Sequence, residues 1–130
     1  MMQMKTALLF LATATVMLFG ISAYSHHGFA IYSSERITVQ ATIKEFRFIN
    51  PHVQLYFDVL NQTNELEAWQ GELTAPNKLA RAGWTKNSFR PGDVVKISGE
   101  RAKNGGHSIR IREIITADGI SLPVTDRVDF

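Results

Sequence analysis

The chain's four histidines, His26, His27, His52 and His107, are its residues best suited to chemistry, and two of them are adjacent in the stretch AYSHHGFA. An imidazole titrates near about pH 6.5 and a free α-amine near about pH 8, so a histidine at a chain terminus offers two metal-binding nitrogens from one residue. A mature chain beginning at His26 would supply that pair. Adding His27 or His52 gives an all-nitrogen set that suits Cu(II) best, with Ni(II) and Zn(II) behind it. A chain beginning at Tyr24 would place His26 third from a free amine. That spacing lets the amine, two backbone amides and the imidazole form a square around Cu(II) or Ni(II). The candidate metal ligands are therefore His26, His27 and His52, and the alternative reading of the pair is two solvated side chains at a terminus. His107 follows a Gly-Gly turn, where a ring can simply hydrogen-bond to backbone, and is the weakest candidate.

The case for a terminus at His26 comes from the residues before it. Met1 to Lys5 carries one positive charge, Thr6 to Phe19 is apolar or small throughout, and Gly20 leads into a small-residue segment containing Ala23 and Ser25. The apolar run is short for a bilayer span, and the small residues fit a leader-peptidase site, so residues 1–25 are expected to be a signal peptide. An uncleaved anchor is the competing reading. Export to the periplasm or the medium follows, with no membrane span in the mature chain. The chain has no cysteine, so neither a lipid anchor through cysteine nor a disulfide framework is available. About a hundred residues must stand on a hydrophobic core alone, with a stability of roughly 5–10 kcal/mol.

Other chemistries are less well served. The formal net charge of the whole chain is only +2. Arg101, Lys103, Arg110 and Arg112 cluster around one turn, but Glu100 and Glu113 offset them, and a near-neutral exported domain is a poor candidate for nucleic-acid binding. Ser88, Ser98 and Ser108 lack a nucleophile-elbow context, and Glu67 and Glu72 fall on opposite parities of one strand, so nothing points to an enzyme. Trp69 is expected to fill the core. Trp84 is expected to plug one end, with a partner for its indole N–H.

The elements that must position these residues read as strands. In ITVQATIKEF, Ile37, Val39, Ala41 and Ile43 alternate with polar residues, then the phase slips at Phe46 and Phe48, which calls for a bulge near Glu45 to Arg47. INPH breaks the ladder. VQLYFDVL is a second strand, NQTN a hairpin turn, and ELEAWQGEL a third strand with Trp69, Gly71 and Leu73 inward. APNKLARAG reads as a short helix with proline in its first turn and glycine just past its end. RPGD launches VVKISGERA as strand four, and KNGG turns into strand five, with Ile109, Ile111 and Ile115 expected inward. The order β-β-β-α-β-β is that of a five-stranded Greek-key barrel of the OB type, all-β with one short helix, in a domain spanning 26–122. A small antiparallel sandwich is the competing architecture, and 123–130 is expected to be a tail.

The combination of HHGFA, INPH, APNKLARAGW and RPGDVVKISGERAKNGG resembles a family of small exported bacterial proteins of unknown function. The likeness runs from His26 to about Leu122. Members commonly read HHSF where this chain has Gly28, and carry a serine before the PN pair where this chain has Ala75. The resemblance implies an exported OB-like barrel and supplies no activity. Two functions stay open. One is an exported, monomeric binding protein that holds Cu(II) through His26, His27 and His52. The other is an accessory protein that binds a partner protein or small envelope ligand, without metal, on the barrel face near Tyr56, Trp84 and the hairpin at Asn104.

Overall fold

The first strand of the computed structural model, β1 (Tyr32–Arg47), is long enough to serve two neighbours, and this builds the barrel. Residues 31–124 are described; the expected leader and the expected ligands His26 and His27 lie outside them. The C-terminal half of β1 pairs antiparallel with β2 (Gln54–Leu60), its N-terminal half pairs with β4 (Val94–Ala102), and Ala41 and Thr42 pair with both. β3 (Leu66–Glu72) pairs with β2, and β5 (Ser108–Thr116) pairs with β4. A short parallel ladder from β3 to β5, Gln70 opposite Ser108 to Glu72 opposite Arg110, closes the ring. The short β6 (Ser121–Leu122) lies further along the same edge of β5, the one away from β4, opposite Ile114 and Ile115. The single helix described, α1 (Pro76–Arg81), sits between β3 and β4. This is the OB arrangement, and closure removes most of the free strand edge an open sheet would expose.

Three irregularities shape the ring. Between Ile43 and Glu45 the register with β2 shifts by one, so Lys44 is the extra residue, and Phe46 comes back to the inner side. The phase slip in the sequence is this bulge, one residue before the expected place. A second shift, in the β4–β5 ladder, sets Ser98 opposite Glu113 but Gly99 opposite Ile111, so Arg112 is inserted in β5. The parity of β5 flips there. Ile114 is the buried residue, and Ile115, expected inward, is only half-buried. The third lies between Tyr32 and Arg36, where three residues of β1 face a single residue of β4.

Period-two alternation fills the interior. Ile43, Val53, Leu55, Phe57, Ile97, Ile109 and Ile114 are almost wholly inaccessible to solvent, and Leu79 of α1 closes the same core. Pro76 opens the helix, and Gly83 follows it with a positive φ of 93°, a conformation glycine adopts without steric cost. Ala75 at the N-cap makes no side-chain cap bond, consistent with the serine it lacks. Trp84 packs edge-on to Phe89 at 5.4 Å, and its indole N–H donates to the Pro123 carbonyl at 2.8 Å, which ties the end of the described chain to the barrel. Trp69 also lies inside, stacked near Phe57. Among the described residues no helix is long and apolar enough to cross a membrane.

Candidate functional site

Two clusters of chemically capable side chains sit on different parts of this frame. The first is built around Glu72, the last residue of β3, which points away from the core because Trp69, Gly71 and Leu73 take the inward positions. Its Oε1 is bonded to Nδ1 of His52, which lies in the β1–β2 connection after Pro51. Its Oε2 accepts the Tyr32 hydroxyl at 3.2 Å, and the same hydroxyl lies 3.2 Å from Ser108 Oγ. Three elements thus meet at one carboxylate, and β5 joins them through the Tyr32 hydroxyl. Tyr32 is only 8% exposed, and burial pushes its phenol above its ordinary pKa, with the Ser108 bond pulling it back and the Glu72 charge adding to the rise. The phenol is therefore a protonated donor at neutral pH.

A carboxylate on Nδ1 fixes the tautomer of an imidazole and leaves Nε2 as its lone-pair nitrogen. That is the outer-shell arrangement found around metal-ligating histidines. Among the described residues, no three His, Cys, Asp or Glu side chains group closely enough to hold a metal ion.

The second cluster lines a groove of about 1080 Å³ at the β2–β3 hairpin and the N-terminal half of β1. His107 stacks on Trp69 with ring centroids 4.9 Å apart and 13° between planes, and the Arg101 guanidinium lies 5.1 Å from the Trp69 centroid. Glu67 joins them: its Oε2 accepts the Trp69 indole N–H at 3.3 Å and faces His107 Nε2 at 3.4 Å. Ile37 and Val39 are half-buried, and Leu60, Leu66 and Val94 stand exposed along the groove. His52 and His107 therefore serve different carboxylates, and His107, set aside as a ligand on sequence, has an aromatic and acidic partnership of its own.

The Glu67 carboxyl is held below its ordinary pKa, first by the Asn61 amide and then by the Trp69 indole. Because the folded value is depressed, the stability this group contributes is present above the ordinary carboxylate range and fades as pH falls through the folded pKa. Asn61→Asp removes the donating amide and puts a like charge beside Glu67, while its oxygen can still accept from the Thr63 and Glu65 N–H groups as Asn61 Oδ1 does now. The expected result is a Glu67 midpoint raised relative to the parent, read by side-chain carboxyl NMR titration. An unchanged midpoint would remove Asn61 as the cause.

Of the residues expected on the outer binding face, Tyr56 is partly covered by the Arg47 guanidinium, 4.7 Å from its ring centroid, and Trp84 is only 5% exposed. Trp84 belongs to the core and offers no stacking surface. Glu72, Tyr32 and Ser108 were not legible as one group, since only the β2–β3 register, the β3–β5 ladder and the start of β1 together bring them to His52.

A small closed barrel of the OB type, with its polar centre at the seam where β3 meets β5, is the class these features define. The chain belongs to the family of unknown function DUF6152, whose family model matches residues 14–110. No curated protein matches it significantly.

Proposed function

We propose that this chain is an exported small-barrel binding protein, not an enzyme, and that its ligand is Cu(II), held by His26, His27 and His52. The observation that carries the reading is the Glu72 carboxylate, which takes Nδ1 of His52 on one oxygen and the hydroxyl of Tyr32 on the other. His27 precedes Tyr32 by five residues and His26 by six. A chain covers at most about 3.6 Å per residue, so either histidine can return to a ring that shares a carboxylate with Tyr32. An all-nitrogen set at a free amine favours Cu(II) over Ni(II) and Zn(II).

The experiment is the intact mass of the protein recovered from the exported fraction, followed by Cu(II) calorimetry on the same material. The expected result is a mass beginning at His26 and one copper bound at sub-micromolar affinity, weakened at least tenfold in His52→Ala. A protein that binds copper no better than a free HHGF peptide would overturn the metal reading.

A second reading is supported by the groove beside Trp69: an accessory protein that takes a partner protein or a small envelope ligand there, without metal. Its aromatic, cationic and acidic groups around an apolar floor are the composition of a ligand site. It predicts retention of another exported protein that metal stripping leaves unchanged and that Leu66→Asp abolishes.

A further inference from the structure

The two ends of the barrel are finished differently. At the end where β1 finishes, Leu79 of α1, Trp84 and Phe89 are buried and fill the interior. Towards the other end the inner face of β1 opens. Ile43 and Ala41 are fully buried, whereas Val39 and Ile37, on the same parity, are only half-buried. These two residues form the floor of the groove beside Trp69. The inward alternation of β1 thus runs on past the last residues that cover it, and the open mouth of a barrel is a usual seat for a small ligand.

A column of flat rings leads from the core to this mouth. Phe57, only 1% exposed, is stacked near Trp69 with centroids 6.4 Å apart and 20° between planes, and Trp69 on His107 at 4.9 Å and 13°. Among the described residues no further ring continues the column beyond His107, and 41% of the His107 side chain is exposed.

The charges around the mouth are all engaged within the protein. Glu67 takes the Asn61 amide on one oxygen, and the Trp69 indole and His107 on the other. The Arg101 guanidinium donates to the Gly105 carbonyl at 2.6 Å and to the Gly106 carbonyl at 3.2 Å, and lies over Trp69. Asp58 is paired with Lys44 at 3.2 Å. An ionic ligand would have to take a partner from one of these groups and leave another charge uncompensated, which is costly in a partly desolvated site. What stays open is apolar surface, the outer ring of the column, and the side-chain amides of Gln40 and Gln62, which make no hydrogen bond among the described residues. An amide is a neutral donor and acceptor.

We propose that this mouth binds a small uncharged ring compound, an aromatic alcohol by chemical class. Its ring lies against His107 and over Ile37 and Val39, and its hydroxyl is met by the amide of Gln40 or Gln62. This rests on the second reading of function above and selects its small ligand over its partner protein. The chemistry on both sides matches: a site whose charges cancel internally takes a ligand without charge, and a ring column that ends at the surface takes one more ring.

The test follows amide shifts of the full chain, in metal-stripped buffer, during titration with 2-naphthalenemethanol and with 2-naphthoate and 2-naphthylmethylammonium as its anionic and cationic counterparts. Saturable shifts at Ile37, Val39, Gln40, Trp69 and His107 are expected with the alcohol, at a Kd of about 1 mM or below. Both ions should bind at least about fivefold more weakly. His107→Ala should weaken the alcohol about two- to tenfold, the worth of one ring contact, and His107→Phe, which keeps a ring and gives up the Glu67 contact, should bind it as the parent does. Lys86→Ala, an exposed residue near Trp84 at the plugged end, should leave binding unchanged. Either ion binding as tightly as the alcohol would overturn the choice of an uncharged ligand. So would an alcohol affinity unchanged in His107→Ala, since the ring column would then play no part. If none of the three probes shifts the groove while a partner protein is retained and lost in Leu66→Asp, the uncharged-ligand site fails and the second reading of function stands. If neither probe nor partner binds, both fail. Should His107→Ala lose the spectrum of the folded barrel, the alcohol against the two ions in the parent decides alone.

Discussion

Gly99→Ala is expected to cost about 3 kcal/mol or more, a large share of the stability of a domain this size, because the obstacle is backbone. A Cβ at position 99 would overlap the Arg110 carbonyl oxygen and lie 2.8 Å from its carbonyl carbon and 3.1 Å from Ile111 Cα. No rotamer change relieves that contact. β5 would have to back away from β4 at the place where Arg112 is inserted, two residues from the ladder that closes the ring onto β3. Gly71→Ala is the control. Its Cβ would meet Ile111 at Cδ1 and at Cγ1, 2.9 Å away, and Phe57 at 3.2 Å. These are side chains, and the end of Ile111 can turn, so the expected cost is about 1–2 kcal/mol. Urea titration of both variants beside the parent gives the comparison. Equal midpoints for the two would mean that the β4–β5 bulge is soft, and that Gly99 is there for some reason other than close approach.

The same bulge marks a limit of sequence reading. Alternation correctly placed Ile37, Val39, Ala41 and Ile43 on one face, Trp69, Gly71 and Leu73 on another, and Ile109 and Ile111 inward, because each is a local period-two pattern. It failed at Ile115, where an inserted residue reverses parity and makes Ile114 the core residue; the run IREII offers an isoleucine to either phase. In β1 the insertion was legible, since Phe46 and Phe48 break a clean alternation. The start of β1 at Tyr32 was not, because YSSER has no periodicity and is held by the edge of β4. The ring closure was implied only by element order, as the parallel β3–β5 contact joins residues 70–72 to residues 108–110 and leaves no local signature.

The polar groups divide along the same line. Trp84 announced its need for an N–H partner by its type, and the Pro123 carbonyl meets it. His52 announced a capacity for metal or hydrogen bonding, but its partner did not follow from the sequence. Glu72 faces outward at a strand end, as many solvated glutamates do, and becomes distinctive only once the β2–β3 register and the chain entry at Tyr32 are known. His107 shows the converse: a ring expected to bond backbone at a turn instead stacks on Trp69, through a contact between β3 and the β4–β5 hairpin.

Glu72→Gln is expected to weaken Cu(II) binding about 10- to 100-fold, the range seen when the outer-shell partner of a ligating histidine is removed, or roughly 1.4–2.8 kcal/mol. Glutamine has nearly the same shape and can still accept the Tyr32 hydroxyl through its carbonyl oxygen, so the wall of the barrel is preserved. What it loses is the negative charge beside Nδ1 of His52, and with it the single tautomer that presents Nε2 to a cation. The parent, Glu72→Gln and His52→Ala should therefore form a graded series in copper calorimetry, with Ser108→Ala close to the parent because it touches only the Tyr32 hydroxyl. A Glu72→Gln variant equal to the parent, beside a weakened His52→Ala, would confine the carboxylate to holding Tyr32. If His52→Ala also matched the parent, copper would have to be held by the terminal histidines alone, and the polar centre at the β3–β5 seam would be a structural clasp around Tyr32.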